Sequence, residues 1–361
     1  MSLRNLLRRF DRMRRDHTRH LAKWIYRRLG DSRHLHPERL PASAIKKILV
    51  VRNNKRIGNM YFMLPFMHEL RSSYPGAEID LMIIDDSQRS IFLNLGLNDI
   101  IVSQFAFVTA WPFFKSILST RRTVYDLLLM PHRSASDTII CAFLHARNKV
   151  AFWGEETAGV FRHSCKIVAQ SHHAALSALS LLRDLGHESR DVEHTMVFST
   201  EENAQGERIA ASLKGTASNC FAYFRGARGA KIINDSTWHE IRRKFDDAAQ
   251  GEVQWVEILS PDIKTPLIAG TVTYQSSNLR LLGNVLKHVD LFICADTGPL
   301  HLADAADARC VGLYNVTNPL HYGCLNSHSV NVTDIGNLDA RATLLKILPP
   351  PIPPTGEPQV Q

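Results

Sequence analysis

Apolar residues recur at three- and four-residue steps through the first thirty positions (Leu3, Leu6, Leu7, Phe10, Met13, Leu21, Trp24, Ile25, Leu29), and Arg or Lys fills most of the intervals. That spacing predicts an amphipathic helix with a basic polar face. Gly30 and the stretch from Pro37 to Pro41 read as its stop and a linker. From Ala44 the period changes. The run 45–51 is short, β-branched and uninterrupted, and it leads into a polar loop, 52–58, as a buried parallel strand followed by a turn would. The pattern then predicts a helix over 60–73, a strand over 79–84, a helix over 91–95, strands over 100–102 and 125–130, a helix over 136–145, a strand over 149–152 and a long helix over 172–185. A polar, helix-like stretch at 199–214 precedes a fresh strand-first series. That series has strands over 220–224, 253–258, 266–269, 291–294 and 310–314, with helices over 238–245, 279–287 and 300–306.

Strand and helix alternate in both series, which argues for open parallel sheets covered on both faces. The restart marks a second domain. The predicted architecture is α/β, with two Rossmann-like domains facing each other across a cleft. Residues 1–43 form a basic amphipathic arm and linker, 44–205 the N-terminal domain, 206–348 the C-terminal domain and 349–361 a Pro-rich tail with too few apolar residues to build a core.

Composition narrows the classes. A chain of 361 residues with 45% hydrophobic and 22% charged content is long enough for two full cores, which excludes a disordered, collagenous or disulfide-scaffold protein. The net charge of +8 is local: the first forty residues hold twelve Lys/Arg against Asp11, Asp16, Asp31 and Glu38, so the rest of the chain sums to zero. The six cysteines form no C-x-x-C pair and sit in apolar surroundings, as small buried hydrophobes do in a reducing compartment. No stretch approaches the roughly 20 apolar residues of a membrane span, and the N-terminus lacks a signal-peptide core. The expected location is therefore cytoplasmic, peripheral on a membrane face. A basic amphipathic helix at 1–30, with Trp24 and Tyr26 at headgroup depth, fits an anionic membrane surface; packing on its own domain is the plainer alternative. A regular apolar stripe argues against nucleic acid as the partner.

The sharpest local signal is the strand 289–295 running into Asp296-Thr297-Gly298-Pro299-Leu300-His301-Leu302-Ala303. A polar turn opening a helix presents unpaired backbone N–H groups and the positive end of a dipole, and a glycine lets a ligand reach the main chain. Generic physics leaves this reading level with a capped helix start in which Asp296 or Thr297 is the N-cap and His301 a bystander.

These residues resemble the D-[ST]-G-x-x-H-x-A element of the ADP-heptose:lipopolysaccharide heptosyltransferases, the family-9 glycosyltransferases of GT-B fold. Other segments agree in order over about residues 45–345. Lys47 to Pro65 resembles the family's first strand, glycine-containing loop and helix, and Tyr74-Pro75 with the next strand follows. Tyr125-Asp126 with Pro131-His132-Arg133-Ser134 resembles its strand into the cleft loop, and Phe224-Arg225-Gly226-Ala227-Arg228 with Lys231 and Trp238 resembles its F-x-G-A-x segment, with extra residues between. Tyr314 to Pro319 stands where the family has Y/F-G-x-T-x-P.

The resemblance implies inverting transfer of a sugar from a nucleotide diphosphate sugar, usually ADP-heptose, to a hydroxyl of the lipopolysaccharide core or lipid A acceptor, with no further cofactor. It implies that Asp296, Thr297, Gly298, Pro299, Leu300 and His301 hold the diphosphate, with Lys231 or Arg228 as cationic partner and Glu257 near the nucleotide ribose. No D-x-D triplet occurs, which fits a metal-independent enzyme. Arg52, Lys55, Arg56, Gly58 and Arg133 are the expected acceptor contacts, since guanidinium groups match phosphates and carboxylates. One position departs from the pattern. The family's Gly-Asp, whose aspartate is taken as the general base, is here Gly58-Asn59, and an amide is not a base near neutral pH. Asp85, Asp86, His132 and Glu155 are the alternative bases, placed by the fold reading on loops after strands. Two other classes stay open: a non-catalytic homologue that binds nucleotide sugar or acceptor, and a GT-B sugar-nucleotide epimerase.

Overall fold

Among the described residues, the β-branched runs form strands that pair in parallel. A computed structural model describes residues 26, 34–103, 110–155, 157–165, 172–188 and 191–348. Most of the basic arm and the Pro-rich tail lie outside the described residues. In the first unit, β1 (Lys47–Val51), β2 (Glu78–Ile83), β3 (Asp99–Val102), β4 (Val124–Met130) and β5 (His145–Ala151) make a five-stranded sheet ordered β3-β2-β1-β4-β5. The central strand β1 is matched on both sides, Val50 lying opposite Leu81 and Leu129. Leu49, Val51, Leu128, Cys141 and Phe161 belong to the core packed against it. Tyr26 of the arm, expected at headgroup depth, is instead buried in that core, its hydroxyl donating to Ala135 O at 3.3 Å.

The second unit holds β6 (Asn219–Phe224), β7 (Val253–Ile258), β8 (Val272–Tyr274), β9 (Leu291–Ala295), β10 (Cys310–Leu313) and β11 (Val330–Val332), ordered β11-β10-β9-β6-β7-β8. Phe221, Trp238, Phe245, Leu291 and Leu313 are fully buried in its core. The chain divides by compactness into Met1–Ser171 with Ala175–Glu193, and His172–Ala174 with His194–Gln361. The helix Thr200–Lys214, which the sequence reading split between domains, lies wholly in the second unit.

The helices are α1 (Gly58–Tyr61), α2 (Leu64–Ser73), α3 (Ala110–Arg121), α4 (Ala135–Phe143), α5 (Leu179–Asp184), α6 (Thr200–Lys214), α7 (Asp235–Ala248), α8 (Leu279–Lys287), α9 (Gly298–Ala305), α10 (Pro319–Tyr322) and α11 (Ala340–Ile347). Among the described residues, no helix is long and apolar enough to cross a membrane. Several differ from the pattern reading for local reasons. The expected helix 60–73 is broken between α1 and α2, because Pro65 supplies no N–H and its ring crowds the carbonyl four residues back. The helix expected at 91–95 is instead a 3₁₀ turn at Asp86–Phe92, started by Asp85 accepting from Ser87 N and followed by left-handed Asn94 and Gly96. Of the helix expected over 172–185 only Leu179–Asp184 is α-helical; the Ala174 N–H is drawn to His321 O. The segment 266–269 is a loop, since Pro266 has no N–H to give and the Leu267 N–H goes to Glu257 Oε2 at 2.6 Å, with left-handed Gly270 turning the chain into β8. Five of the cysteines are buried and Cys324 is half-buried, and among the described residues none is in a disulfide.

Candidate active site

In the second unit the carboxyl end of β9 delivers Asp296 to the start of α9. Thr297 is the extended N-cap residue and Pro299 occupies the first turn, where its missing N–H costs nothing. The Leu300 N–H is already spent on Thr297 O at 3.1 Å, so Leu300 contributes packing, being fully buried, and no amide. Gly298 opens the helix with an N–H that has no intrahelical acceptor, and a Cβ added there would meet nothing within 4 Å. The main chain is therefore approachable at this one point.

Asp296 is the organiser. It is 3% exposed, and its two oxygens take Lys231 Nζ at 2.6 Å, Thr317 Oγ1 at 2.5 Å and His301 Nε2 at 3.0 Å. Burial alone would raise its pKa; hydrogen bonds from His301, Lys231 and Thr317 outweigh burial and hold the carboxyl well below the usual range. Lys231 also donates to Asp296 O at 2.9 Å, so the lysine is pinned beside the helix start. Thr317, from the loop after β10, is a member of this cluster that the sequence reading did not name as a site residue.

Glu257, at the end of β7, is fully buried. Its Oε1 takes Arg225 Nε at 2.6 Å, and its Oε2 takes Tyr223 Oη and Leu267 N, each at 2.6 Å. In this arrangement it fixes Arg225 and the 265–267 loop, with no oxygen left unengaged. Arg228 is almost fully exposed, and its guanidinium lies 3.8 Å from Asp262.

In the first unit, β1 and β4 end side by side and carry Arg52 and His132. Arg52 is 7% exposed, while Lys55 and Arg56 are exposed on the loop. Gly58 begins α1, and Asn59, half-buried, donates its N–H to Arg56 O at 3.0 Å. The Asn59 side-chain amide has no hydrogen-bond partner among the described residues. Residues 52–54 are clamped from three elements: Asn53 N donates to Asp137 Oδ2 at 3.2 Å, Ser103 Oγ to Asn53 Oδ1 at 2.7 Å, and Gln88 Nε2 to Asn54 O at 2.6 Å. None of these three clamps was singled out from sequence, although Ser134-x-x-Asp137 is a readable helix-start signature, Ser134 Oγ accepting from Asp137 N.

The other proposed bases are placed differently. Asp85 takes both the N–H and the Oγ of Ser87, which lowers its pKa, and Asp86 is exposed and paired with Arg89 at 3.1 Å. Glu155 is exposed, and exposed Arg133 donates to Trp153 O at 2.8 Å. Among the described residues no cluster of His, Cys, Asp or Glu is arranged to hold a metal ion.

The sequence model of glycosyltransferase family 9 (heptosyltransferase) matches residues 273–344, a stretch that holds Asp296, His301 and Thr317 but not Lys231. Two proteins named lipopolysaccharide heptosyltransferase 3, from Escherichia coli and its strain K12, are 23% identical over 293 residues and 22% over 279. These matches cover 73% and 72% of this chain, and 82% and 80% of theirs. Among solved structures, a family-9 glycosyltransferase of Veillonella parvula DSM 2008 superposes with a TM-score of 0.69 at 16% identity, over 84% of this chain and 90% of that one. E. coli heptosyltransferase WaaC with ADP gives 0.63 at 17%, over 83% and 97%. The fold is thus that of the solved family-9 glycosyltransferases, and the family's sequence signature is carried by the stretch from β8 to α11.

Proposed function

We propose that this protein transfers a heptose, with inversion, from ADP-heptose to a hydroxyl of the lipopolysaccharide inner core at the cytoplasmic face of the inner membrane. The observation that carries the reading is the start of α9: an approachable glycine N–H, the positive helix end, and Lys231 and His301 fixed by one buried carboxylate. That arrangement is suited to a leaving diphosphate, whose charge grows as the sugar–oxygen bond breaks. The positive groups are side chains and a helix dipole, so the proposal requires no metal ion and no further cofactor.

Arg52, Lys55, Arg56 and Arg133, around the ends of β1 and β4, are the proposed contacts for acidic groups of the acceptor. The basic segment 1–30, which lies mainly outside the described residues, is proposed to find the anionic leaflet in which a lipid A acceptor sits. Asn59 favours a second reading, a homologue that binds its ligands without turnover.

The two separate in one assay, in which the full-length protein is incubated with ADP-heptose and either Kdo-lipid A or heptosylated core, and ADP release and product mass are followed. Acceptor-dependent ADP release with a heptose added to the acceptor supports the transferase. Tight ADP binding with no product supports the binding homologue, and ADP release that needs no acceptor removes both.

A further inference from the structure

The carboxyl ends of β1 and β4 bring together two groups whose chemistry is unspent. Arg52 is a buried cation whose guanidinium makes no hydrogen bond to the described protein, and its Nε is enclosed without a partner. Burial lowers its pKa, opposed by Asp137 on α4. Asp137 is fully buried, and burial pushes its own pKa up to about 6. An orphaned donor on a buried cation makes a receptor for an anion.

Beside this cation stands His132. Its Nδ1 lies 2.6 Å from Pro131 O, and a carbonyl oxygen only accepts, so Nδ1 carries the hydrogen and Nε2 presents its lone pair. Nε2 has no protein partner among the described residues. Burial first, then the field of Arg52, lower the His132 pKa to about 4, which keeps Nε2 unprotonated throughout the neutral range. A carboxylate of ordinary pKa, the group missing at position 59, is a base of similar strength.

We propose that His132 Nε2 accepts the proton of the attacking acceptor hydroxyl, in place of a carboxylate at position 59, while an acidic group of the acceptor, phosphate or carboxylate, sits on Arg52. This rests on the transferase reading above. The acceptor O–H bond breaks with its proton going to Nε2, and the oxygen's electron pair forms the new bond to the sugar's anomeric carbon. The bond from that carbon to the diphosphate breaks with its pair leaving on ADP, and the imidazolium later returns its proton to water. Arg52 and Asp137 are the charged groups acting on this pair. An anion on Arg52 cancels the field that suppresses His132, so the base strengthens as the correct acceptor arrives.

The test uses full-length protein carrying His132→Ala, His132→Gln or Arg52→Gln, with ADP affinity as the folding control. Both His132 variants should lose kcat by about 100-fold or more at unchanged donor KM. Added imidazole should restore part of the activity of His132→Ala only, and Arg52→Gln should raise acceptor KM. Activity of His132→Ala within about threefold of wild type would overturn the base assignment, because general-base losses run to at least 100-fold. A separate arm needs no turnover: inorganic phosphate, followed by NMR of the His132 ring, should raise its pKa in wild type and leave it unmoved in Arg52→Gln. A wild-type ring indifferent to phosphate would overturn the anion site. A wild type without transferase activity whose ring still responds would remove the transferase reading and leave the anion site standing.

Discussion

Replacing Asp296 by asparagine asks whether one carboxylate holds the start of α9 together. Its oxygens serve Lys231, His301 and Thr317, and it is 3% exposed. Asparagine keeps the shape but removes the charge, and its NH₂ must face one of three donors. Breaking a buried pair by removing one partner costs about 3–5 kcal/mol. Lys231 is 31% exposed, so water recovers part of that, and about 2–3 kcal/mol is the expected loss. At roughly 2–4 °C per kcal/mol for a unit of this size, Tm should fall by about 5–10 °C. The pH dependence has a definite sign. The folded pKa is depressed, so the stability this carboxylate contributes is present above the unfolded value near 3.9 and is lost as pH falls through the folded one. The gap between wild type and Asp296→Asn should therefore narrow as the pH is lowered from about 7 towards 3. Thermal melts followed by near-ultraviolet dichroism read this directly, since Trp238 and Trp255 are buried in the second unit. A variant within about 1 °C of wild type at neutral pH, or a gap that widens in acid, would refute the role given to Asp296.

Two further substitutions probe what supports this unit. Arg280, 5% exposed on α8, engages both Glu202 oxygens and Val197 O, and Glu202 also accepts from Ser199 N at 2.7 Å. Arg280→Met should destabilise by about 2 kcal/mol in denaturant melts, with the difference shrinking in acid as Glu202, whose pKa its partners lower, is protonated. Gly206 on α6 lies against α8 so closely that a Cβ would sit 2.2 Å from Asn284 Oδ1 and 2.9 Å from that residue's backbone carbon. Gly206→Ala should cost about 1–3 kcal/mol despite alanine's better helix propensity, and an unchanged denaturation midpoint would show that the helices can separate cheaply.

Much of the fold was legible because buried parallel strands are short runs of β-branched and apolar residues, and 45–51, 253–258 and 291–294 carry that signal unmixed. Where the reading and the structure part, a single group decides: Pro65 divides a helix, and Glu257 captures the N–H that a strand at 266–269 would have used. The short strand β11 and the helix α11 carry too little pattern to stand out. At the site, sequence order grouped Asp296 to His301 because one turn holds them. Thr317 joins through folding alone, as do Ser103, Gln88 and Asp137 around residues 52–54, since their partners lie many residues away. Burial is the other quantity that spacing does not reveal. It distinguishes enclosed Arg52 from exposed Lys55 and Arg56, which look alike in sequence.

The central claim is that the donor's diphosphate meets the main chain at the start of α9, and Gly298 tests it without disturbing the fold, because the space beyond its Cα is empty. The decisive measurement is calorimetric titration of ADP-heptose into wild type and Gly298→Leu, with matched melting curves. The account predicts binding to wild type and a loss of at least about tenfold, near 1.4 kcal/mol, in a variant of unchanged Tm. Equal affinity in the two proteins, or no binding to wild type, would contradict it.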